Sequence, residues 1–196
     1  MNTVRILAYS ANLLIAFALA QSTQAGTVSS TTTINLAVNE LALDTGRDLL
    51  YASVPSRAGV GLGNTITRIS LSSKAILDST FIGSEPKAMA LSVDGSHLYV
   101  NLSGSFKLRE FNPATLAAGP QAAIANNYMI GALAAVPNQP DTFVGSVLRA
   151  GSPKYVGTGV WHFDGTNFTT PGPVGIGTTT LAYSEDPSTF YAASGG

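Results

Sequence analysis

One phrase returns four times along this chain: Leu41-Ala42 to Tyr51, Met89-Ala90 to Tyr99, Leu133-Ala134 to Phe143, and Leu181-Ala182 to Tyr191. Each begins with a large apolar residue followed by alanine and closes on an aromatic residue ten positions after its start. The starts lie 48, 44 and 48 residues apart. An internal period in this range constrains a fold more than composition does, because each repeat must be one supersecondary unit that buries its apolar face against its neighbours.

The content of each repeat is β-type, and a period in the forties with β content is the signature of a β-propeller. The second repeat is the clearest. Ala88 to Ser92 alternates as an inner strand, Val93-Asp94-Gly95-Ser96 turns on a glycine suited to positive φ, and His97 to Leu102 forms the second strand. Phe106 to Phe111 follows as the third strand and Leu116 to Ile124 as the edge. In the first repeat Asp44 to Arg47 turns, Pro55 to Gly63 is a longer loop, and Thr65 to Leu71 is the third strand. In the third, Pro137 to Asp141 turns and Val160 to Phe163 is the third strand. The shared alanine is expected where inner strands converge on an axis and small side chains fit.

The predicted fold class is therefore all-β: a β-propeller of four-stranded antiparallel blades, here an incomplete arc of about three and a half blades. The expected layout is blade one over 36–83, blade two over 84–126, blade three over 127–175 and the start of a fourth over 176–196, within a propeller region of 26–196. Val28 to Ile34 precedes Leu41 as Ile76 to Ile82 precedes Met89, so 28–35 reads as the outer strand of a closing blade. An arc of this size does not close a ring of roughly four to eight blades. The sequence reads as the N-terminal part of a longer protein rather than as one of several chains that share a ring.

The charge pattern narrows the partners. Ten Lys and Arg against eleven Asp and Glu give a formal net charge of −1, with no basic run. Nucleic acid, which needs clustered cations against phosphates, is not expected as a partner. The absence of cysteine removes disulfides, thiolate chemistry and cysteine-ligated metals. At the N-terminus, one basic residue (Arg5) precedes an apolar stretch, Ile6 to Ala20, and a polar segment, Gln21 to Gln24. This is the order of a secretory signal peptide, assigned to 1–25, with cleavage after Ala20 or after Ala25. The stretch is short against the roughly 20 residues that span a bilayer, and no membrane span is expected after cleavage. A secreted, periplasmic or cell-surface location follows.

Glu85-Pro86-Lys87-Ala88-Met89-Ala90-Leu91-Ser92-Val93-Asp94-Gly95-Ser96-His97-Leu98-Tyr99-Val100-Asn101 resembles the YVTN-type β-propeller repeat, and Phe111-Asn112-Pro113-Ala114-Thr115 continues the pattern. The first repeat follows it less closely. The third and fourth keep only its hydrophobic frame. The resemblance implies a secreted bacterial propeller of the lactonase-like superfamily, often a binding scaffold, with lactonase-like, virginiamycin-lyase-like and quinoprotein relatives. Fold does not carry function across such a set, so none of their catalytic residues is transferred to this chain.

The residues themselves offer little catalytic patterning. His97 follows a turn and reads as a solvated residue. His162 lies in Val160-Trp161-His162-Phe163, where alternation sets it on the face opposite Trp161 and Phe163. There is no metal-binding spacing and no G-x-S-x-G elbow. Ser103 reads as a hairpin serine, and Gly59 to Gly63 as a flexible loop rather than a phosphate cradle. Asp44, Asp94, Asp141, Asp164, Glu185 and Asp186 fall in turns. Asn101-Leu102-Ser103 and Asn167-Phe168-Thr169 match the glycosylation sequon, which in a bacterial protein is chance.

No catalytic, cofactor or metal residue is assigned. The residues that enter the inner strands, Asn39, Glu40, Lys87 and Thr179, form the expected ligand face at one mouth of the channel. The expected function is a non-enzymatic binding or scaffold module that takes a protein or small-molecule ligand there. Two alternatives stand beside it: a lactonase- or lyase-like propeller enzyme, and a surface-layer or adhesion component.

Overall fold

The computed structural model describes residues 31–124, 128–149, 156–165, 167–169 and 180–193. The expected signal peptide, 1–25, lies outside them. Alternation of large and small residues between tight turns yields fourteen strands in these regions, all antiparallel to their neighbours. The first sheet holds β1 (Glu40–Asp44), β2 (Leu49–Val54), β3 (Thr65–Ser70) and β4 (Ile76–Phe81) in sequential order. The second holds β5 (Pro86–Leu91), β6 (Leu98–Leu102), β7 (Lys107–Asn112) and β8 (Ala117–Ala123). The third holds β9 (Tyr128–Ala135), β10 (Phe143–Arg149), β11 (Val156–Phe163) and β12 (Phe168–Thr169), and β13 (Thr180–Tyr183) pairs with β14 (Phe190–Ala193). None closes into a barrel, and the whole is an open arc of propeller-like blades.

Part of the expected closing strand, 28–35, falls outside the described residues, and 31–38 belong to no strand. Leu36, with Ile34 and Val38, packs on Leu50, Ala52, Val54 and Ile69, the face of the first sheet turned away from the second. At the rim of the second sheet, β8 carries Pro120, which lacks the N–H that an incoming strand would need.

The core lies in the seams between sheets, and it corrects the reading of the shared alanine. Met89 joins the cluster between the first and second sheets with Ala42, Tyr51, Ile66 and Phe111. Its neighbours Ala88 and Ala90 join the cluster between the second and third sheets, with Tyr99, Leu133, Phe143 and Phe163. The inner strands β5 and β9 thus turn their large residues, Met89 and Leu133, back to the preceding sheet and the alanines that follow them, Ala90 and Ala134, forward to the next. The alanine is small because the following blade's large residue and an aromatic ring share its space, not because strands crowd an axis.

The third repeat departs from the other hairpins. Asp44 pairs with Leu49, Ser92 N bonds His97 O, and Ser184 N bonds Thr189 O, each spanning four turn residues. Val136 N bonds Thr142 O across five. In consequence Ala42 faces Tyr51, Ala90 faces Tyr99 and Ala182 faces Tyr191, but Ala134 faces Val144. One extra residue in a period-two strand reverses the presented face. Phe143 therefore points back toward the second sheet, and its equivalence to Tyr51 and Tyr99 does not hold. There it meets Tyr99 at 4.6 Å and Phe163 at 4.7 Å between ring centroids.

Turn geometry follows the residue types. Gly95 takes the left-handed conformation at φ +72°, as the Asp94-Gly95 turn predicts. In the first hairpin Asp48, not Gly46, adopts positive φ, a position that Asp tolerates.

Candidate functional site

Three of the four expected ligand-face residues are gathered at the seam between the first two sheets. Asn39 precedes β1 and donates from Nδ2 to the carbonyl of Pro86 at 2.8 Å, which ties the start of one inner strand to the start of the next. Arg57, in the loop after β2, donates to Asn39 Oδ1 at 3.1 Å. Glu40 opens β1, and its backbone N–H donates to Ser53 Oγ at 3.0 Å. That hydroxyl, wholly buried, donates to the carbonyl of Lys87 at 2.8 Å. Lys87 itself is exposed. Thr179 lies outside the described residues.

Glu40 is half-buried. Burial pushes its carboxyl from the ordinary 4.5 up to about 7, against the pull of the Lys87 charge in the other direction. Between about 4.5 and 7 the folded chain keeps a proton that the unfolded chain has lost. Stability therefore falls as pH rises through this window. Glu40→Gln is expected to remove that fall and to shift the urea midpoint up at pH above 7 while leaving it nearly unchanged at acid pH. Equal pH dependence in the two proteins would show that Glu40 is not the titrating group.

Sequence reading did not single out the residues that frame this seam. Glu85, held at φ +52°, accepts from Ser56 Oγ through its carboxylate, and its N–H donates to Asn64 Oδ1 at 2.9 Å. Its carbonyl accepts from both the N–H and the hydroxyl of Ser103, each at 3.0 Å. Ser103, expected as a hairpin serine, thus also anchors the loop that precedes β5. No local signal marks Glu85: a residue before proline is expected in extended backbone, whereas Glu85 is left-handed.

At the opposite end of the inner strands a shallow groove of about 620 Å³ runs between the first two hairpin turns, lined by Asp44, Arg47, Ser92, Asp94 and Gly95 among others. Arg47 donates from Nη1 to Asp44 Oδ2 at 2.8 Å and across the seam to the carbonyl of Gly95 at 2.9 Å. Asp94 accepts from Ser96 N, Ser96 Oγ and Ser92 Oγ, which hold its carboxyl down at about 2. The turn reading of these carboxylates is thus sufficient for Asp94, while Asp44 also anchors a cross-seam arginine.

His97 is not the solvated turn residue that its position suggests. Its Nδ1 lies 2.8 Å from Glu110 Oε1 and its Nε2 3.2 Å from Asp141 Oδ1, and its ring stacks on Tyr99 with 6.0 Å between centroids. His162 shares a strand with Trp161 and Phe163. Val160, on its side of the alternation, packs on Leu181 of the next sheet, whereas Phe163 packs toward the second sheet. Asn101 is fully buried and its Nδ2 donates to the carbonyl of Ile130 at 2.8 Å, so this sequon carries no sugar in the folded chain. Among the described residues no group of three His, Asp or Glu could hold a metal ion, and no helix is long and apolar enough to cross a membrane.

No protein-family model and no curated protein sequence matches the chain. Solved structures do resemble it in fold. Kuenenia stuttgartiensis hydrazine synthase superposes with a TM-score of 0.61 at 14% identity, covering 79% of this chain and 41% of that one. The β-propeller domain of Cps50 (Swd1) from Myceliophteria thermophila gives 0.56 at 10% identity, covering 80% and 49%. The dihydro-heme d1 dehydrogenase NirN, solved in complex with DHE, gives 0.59 at 13% identity, covering 83% and 33%. The chain thus spans between a third and a half of the length of these structures. At such identities the similarity concerns the fold, and what it establishes is a distant structural relationship to β-propellers.

Proposed function

We propose that this chain is part of a secreted propeller that binds a ligand at the mouth formed by Asn39, Glu40 and Lys87, without catalysing its conversion. The observation that carries the reading is the half-buried Glu40 beside the charge of an exposed Lys87 at the start of adjacent inner strands. A carboxyl and an ammonium set at the rim of an apolar seam offer both a donor and an acceptor to a polar ligand, while hydrogen bonds from Asn39 and Ser53 fix the backbone beneath them. The YVTN-type resemblance of the second repeat and the apolar stretch Ile6 to Ala20 support a secreted propeller of this group.

One observation favours an enzyme as the second reading. A carboxyl poised at about 7 can take and return a proton at neutral pH, which a lactonase- or lyase-like reaction requires. The test separates the two. The chain is screened by thermal shift against small organic acids, amines and oligosaccharides, and against simple lactones with hydrolysis followed by pH-stat. Binding reduced at least tenfold by Lys87→Ala, with no lactone turnover, supports the binding module. Turnover abolished by Glu40→Gln would overturn it in favour of the enzyme.

A further inference from the structure

We propose that His97 is a protonation-dependent latch between the second and third sheets, closed across the seam when its imidazole carries two protons and open toward Asp141 when it carries one. His97 stands at the exit of the turn before β6. Its Nδ1 faces Glu110 on β7 of its own sheet at 2.8 Å, and its Nε2 faces Asp141, in the turn between β9 and β10 of the next sheet, at 3.2 Å. Ionised carboxylates only accept. A neutral imidazole has one N–H and one lone pair, so the hydrogen bond to Glu110 and the ion pair with Asp141 are both favourable only in the imidazolium.

The surroundings fix which contact is lost. Glu110 is the nearer partner and is 30% exposed, whereas Asp141 is 65% exposed. Tyr99 stacks beneath the ring with an interplanar angle of 13° and holds it in place. Asp94 in the same turn acts electrostatically on the ring, but its carboxylate is taken up by Ser92 and Ser96. The phenol of Tyr99 is held un-ionised by burial and by Glu110, Asp141 and Asp94. When the ring loses a proton, the shorter bond within the sheet keeps the remaining N–H and Asp141 faces a lone pair.

The first seam provides the contrast. There Arg47 makes the same kind of reach, from the first sheet's hairpin turn to the carbonyl of Gly95 in the second. A β-carbon on Gly95 would lie 2.3 Å from Arg47 Nη1, so the glycine leaves the space that this arm occupies. Guanidinium keeps its charge throughout the range in which histidine changes its own. One seam is thus fastened by a permanent cation and the next by a titratable one. Because Asp141 is exposed, the effect is local and is read at the seam rather than in global stability.

The test uses the full chain at about pH 6 and about pH 8, either side of the range in which histidine changes charge. Nitrogen NMR of the imidazole is expected to show both ring nitrogens of His97 protonated at the lower pH. Amide hydrogen exchange in residues 136–144, corrected for intrinsic base catalysis, is expected to be roughly three- to tenfold faster at the higher pH, within the tenfold per pH unit that one proton permits. His97→Arg is expected to exchange slowly at both pH values, and His97→Ala and Asp141→Ala rapidly at both. Glu40 titrates in the same range but lies on β1 at the first seam and is common to all four proteins, so it cancels in the comparison. A wild-type pH ratio retained in His97→Ala or in Asp141→Ala, or a singly protonated ring at about pH 6, would overturn the latch. Asp141→Ala, at an exposed position, keeps the test open if a His97 variant does not fold.

Discussion

Phe143→Ala is expected to destabilise the chain by about 3–5 kcal/mol, the range for removing a fully buried aromatic ring from a packed core. The ring has no exposed surface and sits at the centre of the seam between the second and third sheets. It lies 4.6 Å from Tyr99, 4.7 Å from Phe163 and 6.4 Å from Phe168 between centroids. These rings belong to β6, β11 and β12, so the loss removes partners from two sheets together and not from one strand alone. Phe143→Leu keeps most of the volume and is expected to cost clearly less, mainly the edge and tilted ring contacts. Urea denaturation followed by tyrosine and tryptophan fluorescence measures both. A Phe143→Ala loss below about 1 kcal/mol, the size of a typical surface change, would mean that the ring faces outward and that the reversed presentation of β10 is wrong.

The second large effect is a contrast between two tyrosines that occupy the same place in the repeat. Tyr51→Ala is expected to cost about 3–5 kcal/mol, because Tyr51 is fully buried and meets Phe111 edge-on across the first seam at 6.4 Å. Tyr51→Phe is expected to stay within about 1 kcal/mol, since the hydroxyl's bond to Asp44 Oδ2 is long at 3.5 Å. Tyr191→Ala is expected to change stability by no more than about 0.5 kcal/mol, because 66% of Tyr191 is exposed. Parallel urea titrations of the three variants decide the matter. If Tyr191→Ala were as costly as Tyr51→Ala, the face of β13 and β14 that carries Ala182 and Tyr191 would be packed rather than open.

How far the sequence could be read depends on which interaction each feature reports. The strands of the second repeat were legible because alternation, the Asp94-Gly95 turn and the Tyr99-Val100 run all agree locally. The four-stranded order followed from short hairpin connections. Phe143 was misread because its phrase has the same length as the others, while the compensation between turn and strand lies in hydrogen bonds, Val136 N to Thr142 O instead of a four-residue closure. His97 was misread for a similar reason. A histidine after a turn is ordinarily solvated, and only the approach of the next sheet brings Asp141 to its second nitrogen.

The candidate site divides along the same line. Asn39, Glu40 and Lys87 could be named from their place before the inner strands, because the repeat fixes where those strands begin. That Asn39 reaches Pro86, that Ser53 bridges Glu40 to Lys87, and that Glu85 is held by Asn64, Ser56 and Ser103 are contacts between residues up to 47 positions apart. No local pattern encodes them.

The sequence by itself determined the period, the β content, the order of strands within each sheet and the residues available at each strand entrance. These rest on backbone propensity and alternation, which act within a few residues. The tertiary structure alone decided which face each side chain presents to which neighbour, why the shared alanine is small, and how the seams are fastened: Arg47 at the first, His97 at the second. Those outcomes depend on the stacking of sheets against one another, and a single turn residue suffices to reverse them.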